Sequence, residues 1–455
     1  MFKSRRSPYY SKRRRQSLSP LWIILSIPLS LIILELLTRI FVGIAGKGQQ
    51  LAEYQGVPPI VSAYRLQFLS ENNQPYDGLA WEGNLIAHQH LAGGYQLAGE
   101  QKSDFWSINE QGFRDEEPVP LEKPQGEMRI FLLGGSTAFG QWNKSNQATI
   151  AHKLEQRLNE RVAQQRRSPE KYRPDALPFY RPERVKALAK PPKIREGKYR
   201  VINAAVPGYT SGNELAQLAL QILPYQPDLI IVLNGYGDLM LPSSEAETEI
   251  PKLEDFLNNA PGHFWAYLTQ PFQNWLRDTY LVKSVQHWVL NPEPSLAQMS
   301  LVVTEDMKSL AEHLPADETE LERRVARYFN HQKQMVRLSA GAGIPFVVAV
   351  QPEITGRPSD QLLPSESEII QQLSPDYIQR VKQGYSQLIE TSEILEKAFP
   401  NNVKTMNFYN LYEDFPNLAF TDTVHLSEEA NQEMAKSLYY TVTALPKMQV
   451  IPDNL

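Results

Sequence analysis

The sequence predicts an α/β protein in three layers, a parallel sheet with helices on both faces, behind one apolar N-terminal segment. Three observations predict it. From residue 129 onward short apolar runs alternate with helical patterns, the order of a βαβ chain. Several runs lack polar alternation, as strands buried on both faces do. They end in glycine turns, at Gly134-Gly135, Gly208 and Gly235, the first two followed by a helix start.

With 455 residues the chain exceeds one ordinary core, so large insertions or two domains are expected. The net charge of −5 implies no nucleic-acid partner. There is no cysteine, which leaves neither a disulfide framework nor a thiolate metal site.

Residues 1–20 form a basic tail carrying Lys3, Arg5, Arg6, Lys12, Arg13, Arg14 and Arg15. Residues 21–45 are almost wholly apolar, and a bilayer crossing needs about 20 such residues. One transmembrane helix is expected there, single-pass, with the tail cytoplasmic and everything after it extracytoplasmic. A cleaved signal peptide is the competing reading, from the small residues of Gly43-Ile44-Ala45. Against it, the apolar core exceeds the roughly 7 to 15 residues of such signals. Glu35 and Arg39, four apart, are expected to pair on one helical face.

Residues 46–127 read as a stalk and preface. Tyr64, Phe68, Tyr76, Trp81, Tyr95, Phe105 and Trp106 are scattered without sustained periodicity. Arg114 is expected in an internal ion pair, with an anionic substrate as the other reading. His88 and His90 have no third ligand nearby, so no metal site is assigned.

The domain itself is expected over 128–445, with insertions at 163–198 and 242–318. Arg129 to Leu133 is a buried strand, and Ser136 sits just past its carboxyl end, where open α/β sheets take ligands. At this point Ser136 is either a nucleophile or a helix cap. A phosphate loop is excluded, since no Gly-Lys-Ser/Thr ending follows. Ala148 to Val162 has the pattern of an amphipathic helix. The crowd of Arg and Lys after it reads as a solvated insertion, with attraction of anionic polysaccharide or lipid headgroups as the alternative. A second strand from Tyr199 runs into the turn at Gly208 and a helix to about Leu223. The third, Asp228 to Leu233, leads into Asn234-Gly235-Tyr236-Gly237-Asp238. The insertion at 242–318 holds Phe256, Phe264, Trp265, Tyr267, Phe272, Trp275 and Leu276; a lid, helices lying on a membrane, and core packing all fit it. Helices Thr319–Ala340 and Asp376–Ala398, strands Ile344–Pro352 and Val403–Tyr409, and a helix from Ser427 complete the pattern.

Asp422 and His425 lie three apart in a polar loop before that last helix. Joined to an exposed serine at a strand end, they supply the base and the orienting acid of a nucleophilic relay.

At Gly134-Gly135-Ser136-Thr137 and at Asp422 to His425 the sequence resembles the SGNH, or GDSL-type, hydrolases, over about residues 128 to 443. Ile108 to Asp115 also resembles a segment preceding the nucleophile strand in membrane-anchored members. The resemblance implies a flavodoxin-like α/β/α fold and a serine esterase or acyl hydrolase without metal or organic cofactor. Ser136 would be the nucleophile, His425 the base and Asp422 its orienter. The N–H groups of Ser136 and Gly208 would hold the oxyanion. Gly135 replaces the Asp of the family motif, a non-catalytic position. Gly237 replaces the family's Asn donor, for which Asn234, the two backbone donors alone, or a water would have to serve. Losing one such donor typically costs ~10²–10³ in turnover. The substrate implied is an ester, with O-acetyl groups of envelope glycan or lipid as candidates. An O-acyltransferase on polysaccharide and a catalytically degenerate glycan-binding or assembly protein are the alternatives on the same fold.

Overall fold

The computed structural model describes residues 20–48, 58–69, 83–90, 94–244, 279–285, 288 and 310–454. The basic tail up to residue 19, Tyr76, Trp81 and the aromatic residues of 256–276 lie outside the described residues. In chain order the principal elements are α1 (Pro20–Ile44), β1 (Glu127–Gly134), α2 (Ser136–Phe139), α3 (Ile150–Arg167), α4 (Arg181–Ala189), β2 (Lys198–Asn203), α5 (Ser211–Gln217), β3 (Leu229–Asn234), α6 (Tyr236–Met240), α7 (Tyr280–Ser284), α8 (Glu318–Gly341), β4 (Phe346–Val350), α9 (Pro375–Ala398), β5 (Val403–Asn407) and α10 (Glu428–Ala444).

The five strands make one parallel sheet in the order β2-β1-β3-β4-β5. This is a doubly wound order whose direction reverses between β1 and β3, and ligands of such sheets bind beyond the carboxyl ends of the strands at that reversal. β3 and β4 are buried at every position and β1 at all but its first, which accounts for their unbroken apolar runs. Phe131, Leu133, Ile230, Val232, Phe346 and Val348 cluster with Met335 and Val336 of α8. Ile130, Leu132 and Ile231 belong to the larger cluster with Leu154 and Leu158 of α3 and Met434 and Leu438 of α10. Side-chain caps fix several helix starts: Thr149 for α3, Asp317 for α8, Ser374 for α9 and Ser427 for α10.

Two expectations are corrected within this unit. The described residues of 59–115 are no stalk: Tyr64, Phe68, Leu85, Tyr95 and Trp106 are buried in the main core. Their strands, Leu66–Leu69, Leu85–His90 and Gly94–Leu97, form a small sheet. At four to six residues each they are too short to leave a readable period. The basic insertion is not merely solvated either. Gln165 donates to the Ile194 carbonyl (3.0 Å) and accepts its N–H (2.8 Å), and Arg161 stacks 4.2 Å from the centre of the Tyr172 ring.

Met1–Pro58 and Leu268–Glu293 form a separate unit. Arg39 Nε donates to Glu35 Oε1 at 2.7 Å, the expected pair. The same carboxylate accepts the N–H groups of Tyr280 (3.0 Å) and Leu281 (2.8 Å) at the start of α7, and the Arg39 guanidinium lies 4.9 Å from the Tyr280 ring centre. Among the described residues no helix is long and apolar enough to cross a membrane, so the structure does not carry the transmembrane expectation for 21–45. The backbone of α1 is nonetheless one helix of 25 residues, with Leu29, Ile32, Leu37, Ile40 and Phe41 exposed.

Candidate active site

β1 ends where no side chain fits. Gly134 has φ +151, and a Cβ there would stand 2.3 Å from the Leu233 carbonyl of β3 and 2.6 Å from Ala138 Cβ. The chain then turns through Gly135, the N-cap of α2, which has no side-chain cap. Ser136 is the first helical residue. Its hydroxyl is half-buried and makes no hydrogen bond among the described residues, so the capping reading is not what the structure contains.

The Asp422–His425 loop closes on itself. Asp422 Oδ1 accepts the N–H groups of Val424 (3.0 Å) and His425 (2.8 Å), and Oδ2 lies 2.5 Å from His425 Nδ1. Thr421 N–H donates back to the His425 carbonyl at 2.9 Å. Burial pushes the Asp422 pKa up, but the His425 imidazole and the two N–H groups outweigh it and hold the carboxyl below its ordinary range. His425 Nε2 is buried and has no partner among the described residues.

Hydrogen bonds tie this loop to the Ser136 turn. Thr137 Oγ1 donates to the Val424 carbonyl (3.2 Å) and accepts from Gln351 Nε2 (3.0 Å) at the end of β4. Asn143 donates to the Leu426 carbonyl (3.4 Å) and accepts from Asn431 of α10 (2.9 Å). Neighbours of the serine thus hold neighbours of the histidine, although Ser136 and His425 share no direct hydrogen bond. Such contacts are often loose before substrate binds.

Gly208 sits in the turn after β2 with φ +84, exposed, and a Cβ there would meet Tyr95 Oη at 2.4 Å. Tyr95 Oη donates to the adjacent Pro207 carbonyl at 2.6 Å, and its ring packs edge-on to Tyr209. The preface therefore clamps this turn. The N–H groups of Ser136 and Gly208 have no acceptor among the described residues.

Asn234 is corrected. Its amide donates to Glu214 and its carbonyl oxygen accepts from Gln332 Nε2 at 3.1 Å, all within a buried network. Burial, with Asp238 beside it, pushes the Glu214 carboxyl well above its ordinary range. A donor held there is not available to an oxyanion. Arg114 is corrected as well: it makes no ion pair among the described residues but braces the Ser136 turn by donating to the carbonyls of Phe139 (3.0 Å) and Gly140 (2.8 Å).

Sequence reasoning missed two groups. Trp142 Nε1 lies 2.8 Å from Asp422 Oδ2 and 3.1 Å from His425 Nδ1. No periodicity or motif points to a lone Trp in a turn. Glu353, fully buried just past β4, accepts from Thr355 N (2.7 Å) and from the Tyr377 hydroxyl (3.1 Å), which in turn lies 3.0 Å from Tyr236 Oη. The next residue, Ile354, donates its N–H to the Thr423 carbonyl of the histidine loop at 2.9 Å.

Burial raises Glu353 to a pKa of about 7 against an ordinary 4.5, the hydroxyl and N–H of Thr355 offsetting only part of it. A raised folded-state pKa adds stability that is complete below about 4.5 and is lost as pH rises through about 7. The size is on the order of 3 kcal/mol. Glu353→Gln carries a neutral amide whose NH₂ can donate to Tyr377. In denaturant titrations the variant is expected to match the parent near pH 5 and to exceed it at pH 8. Parallel pH dependence in the two would refute the assignment.

The model of the GDSL-like lipase/acylhydrolase family matches residues 130–438. The chain therefore belongs to the GDSL-like lipase/acylhydrolase family. It is a hydrolase of ester bonds. Similar solved structures include a lipase/acylhydrolase from Enterococcus faecalis (12% identity, 70% of this chain and 95% of that one, TM-score 0.32). Another is a mutant acetyl-xylooligosaccharide esterase from Geobacillus Stearmophilus (10% identity, 69% and 93%, TM-score 0.32). No curated protein matches the sequence.

Proposed function

We propose that Ser136 is the nucleophile, His425 its general base and Asp422 the residue that orients the imidazole. The observation that carries this reading is the Asp422–His425 pair, tied through Thr137 to the turn presenting Ser136. His425 Nδ1–H donates to Asp422, which leaves Nε2 with its lone pair free to take the Ser136 proton as the hydroxyl oxygen attacks the ester carbonyl. The N–H groups of Ser136 and Gly208 hold the developing oxyanion. Nε2–H then protonates the leaving alcohol. Water, deprotonated by the same nitrogen, releases the acid and restores the serine. The substrate is an ester outside the cytoplasm, an O-acetyl group on an envelope glycan or a lipid ester. The apolar segment 21–45 anchors the chain, as its run of about 20 apolar residues in the sequence allows. Basic residues before it keep the tail inside.

A membrane-impermeant fluorophosphonate applied to sealed vesicles with their outer face exposed is expected to label Ser136 and to stop p-nitrophenyl acetate turnover. Label on another residue would refute the nucleophile. Label only after the vesicles are opened would refute the orientation. An inert, unlabelled protein that binds glycan would favour the degenerate binding module.

A further inference from the structure

We infer that Trp142 is a positioning residue for the base: its indole N–H shares Asp422 Oδ2 with the imidazole and so fixes the carboxylate that aims the ring. The inference rests on the proposed roles of Ser136, His425 and Asp422.

The indole has one donor and no acceptor. It lies nearer to Asp422 Oδ2 (2.8 Å) than to His425 Nδ1 (3.1 Å), and a base whose Nε2 is to be free must itself donate from Nδ1. Both N–H groups therefore converge on Oδ2, while Oδ1 takes the two backbone N–H groups of Val424 and His425. Four donors leave the carboxylate one orientation.

The backbone is bent to put the indole there. Trp142 has φ +66, a conformation that bulky residues rarely take, and such strain persists only where surrounding structure imposes it. Here the imposing structure is a bracket from the preface. The Tyr64 ring stands edge-on to Trp142 at 5.6 Å, and its hydroxyl donates to the Asn143 carbonyl at 2.5 Å. Arg114 donates to that hydroxyl (2.8 Å) and to the Gly140 carbonyl (2.8 Å), so residues on both sides of Trp142 are held. The indole is also edge-on to the His425 ring, centroids 5.8 Å apart.

The test is steady-state p-nitrophenyl acetate turnover by the full chain, read as kcat against KM beside a melting curve. Two changes at Trp142 are compared with the parent: Trp142→Phe, and site-specific insertion of benzothienylalanine at 142, which keeps the double ring and removes only the N–H. Both are expected to lower kcat by ~10-fold or more with KM little changed, as loss of a partner that orients a functional His typically does. A purely structural Trp142 would lower the melting temperature and leave kcat in place. Tyr64→Phe, which weakens the bracket but keeps the N–H, is expected to lower the melting temperature with a smaller loss of kcat. Unchanged kcat in the benzothienylalanine protein, with Ser136 still labelled by fluorophosphonate, would overturn the inference alone. Failure to label Ser136 in the parent would overturn the reading beneath it.

Discussion

Asp422→Asn is expected to lower kcat on p-nitrophenyl acetate by about 10⁴ while the protein stays folded. The loss follows from which atoms the new amide turns where. Its oxygen can keep the N–H groups of Val424 and His425, the two bonds that shape the loop. Its NH₂ then points at His425 Nδ1 and at the Trp142 N–H, where two acceptors are wanted. Nδ1 can accept from that amide only if the imidazole proton sits on Nε2, which makes His425 a donor toward Ser136 and useless as a base. Trp142 meets a donor and loses its bond to residue 422. Steady-state kinetics beside a melting curve checks this; turnover within a few-fold of the parent would remove Asp422 from the relay.

Arg114→Met is expected to cost the most stability, on the order of 5 kcal/mol, and to lower the melting temperature by about 10 °C or more. Arg114 is 3% exposed, and its guanidinium donors reach Asn146 Oδ1, the carbonyls of Phe139, Gly140, Phe105 and Ser145, and the Tyr64 hydroxyl. Met fills the space along the side chain and supplies no donor, so acceptors from four stretches of chain are left buried together. Arg114→Lys separates charge from geometry. An ammonium on a flexible stem cannot reproduce the planar fork, and it is expected to recover only part of the loss. A Met variant as stable as the parent would mean that water reaches these carbonyls.

Arg114 also marks where the sequence stopped being readable. Its partners are mostly main-chain carbonyls, which have no signature in the residue string, so an ion pair was the natural expectation for a buried cation. The same holds for Asn234. Its position after β3 was legible, but the direction of its side chain depends on Glu214 and Gln332, which approach from α5 and α8. By contrast, the Ser136 turn and the Asp422–His425 pair are each local, set by two glycines in one case and by a four-residue loop in the other. The sheet was legible for a similar reason: strands buried on both faces must be apolar throughout. The preface was not, because its strands are short and its aromatic residues find the core one at a time.

Thr137 and Val424, bonded across the site, are separated by 287 positions. On the proposed assignment, the chain must be made through His425 before base can meet nucleophile. A nascent chain cut short ahead of that loop would then carry a harmless serine, and the ability to cleave esters would arrive only when the Asp422–His425 loop reaches the end of β1.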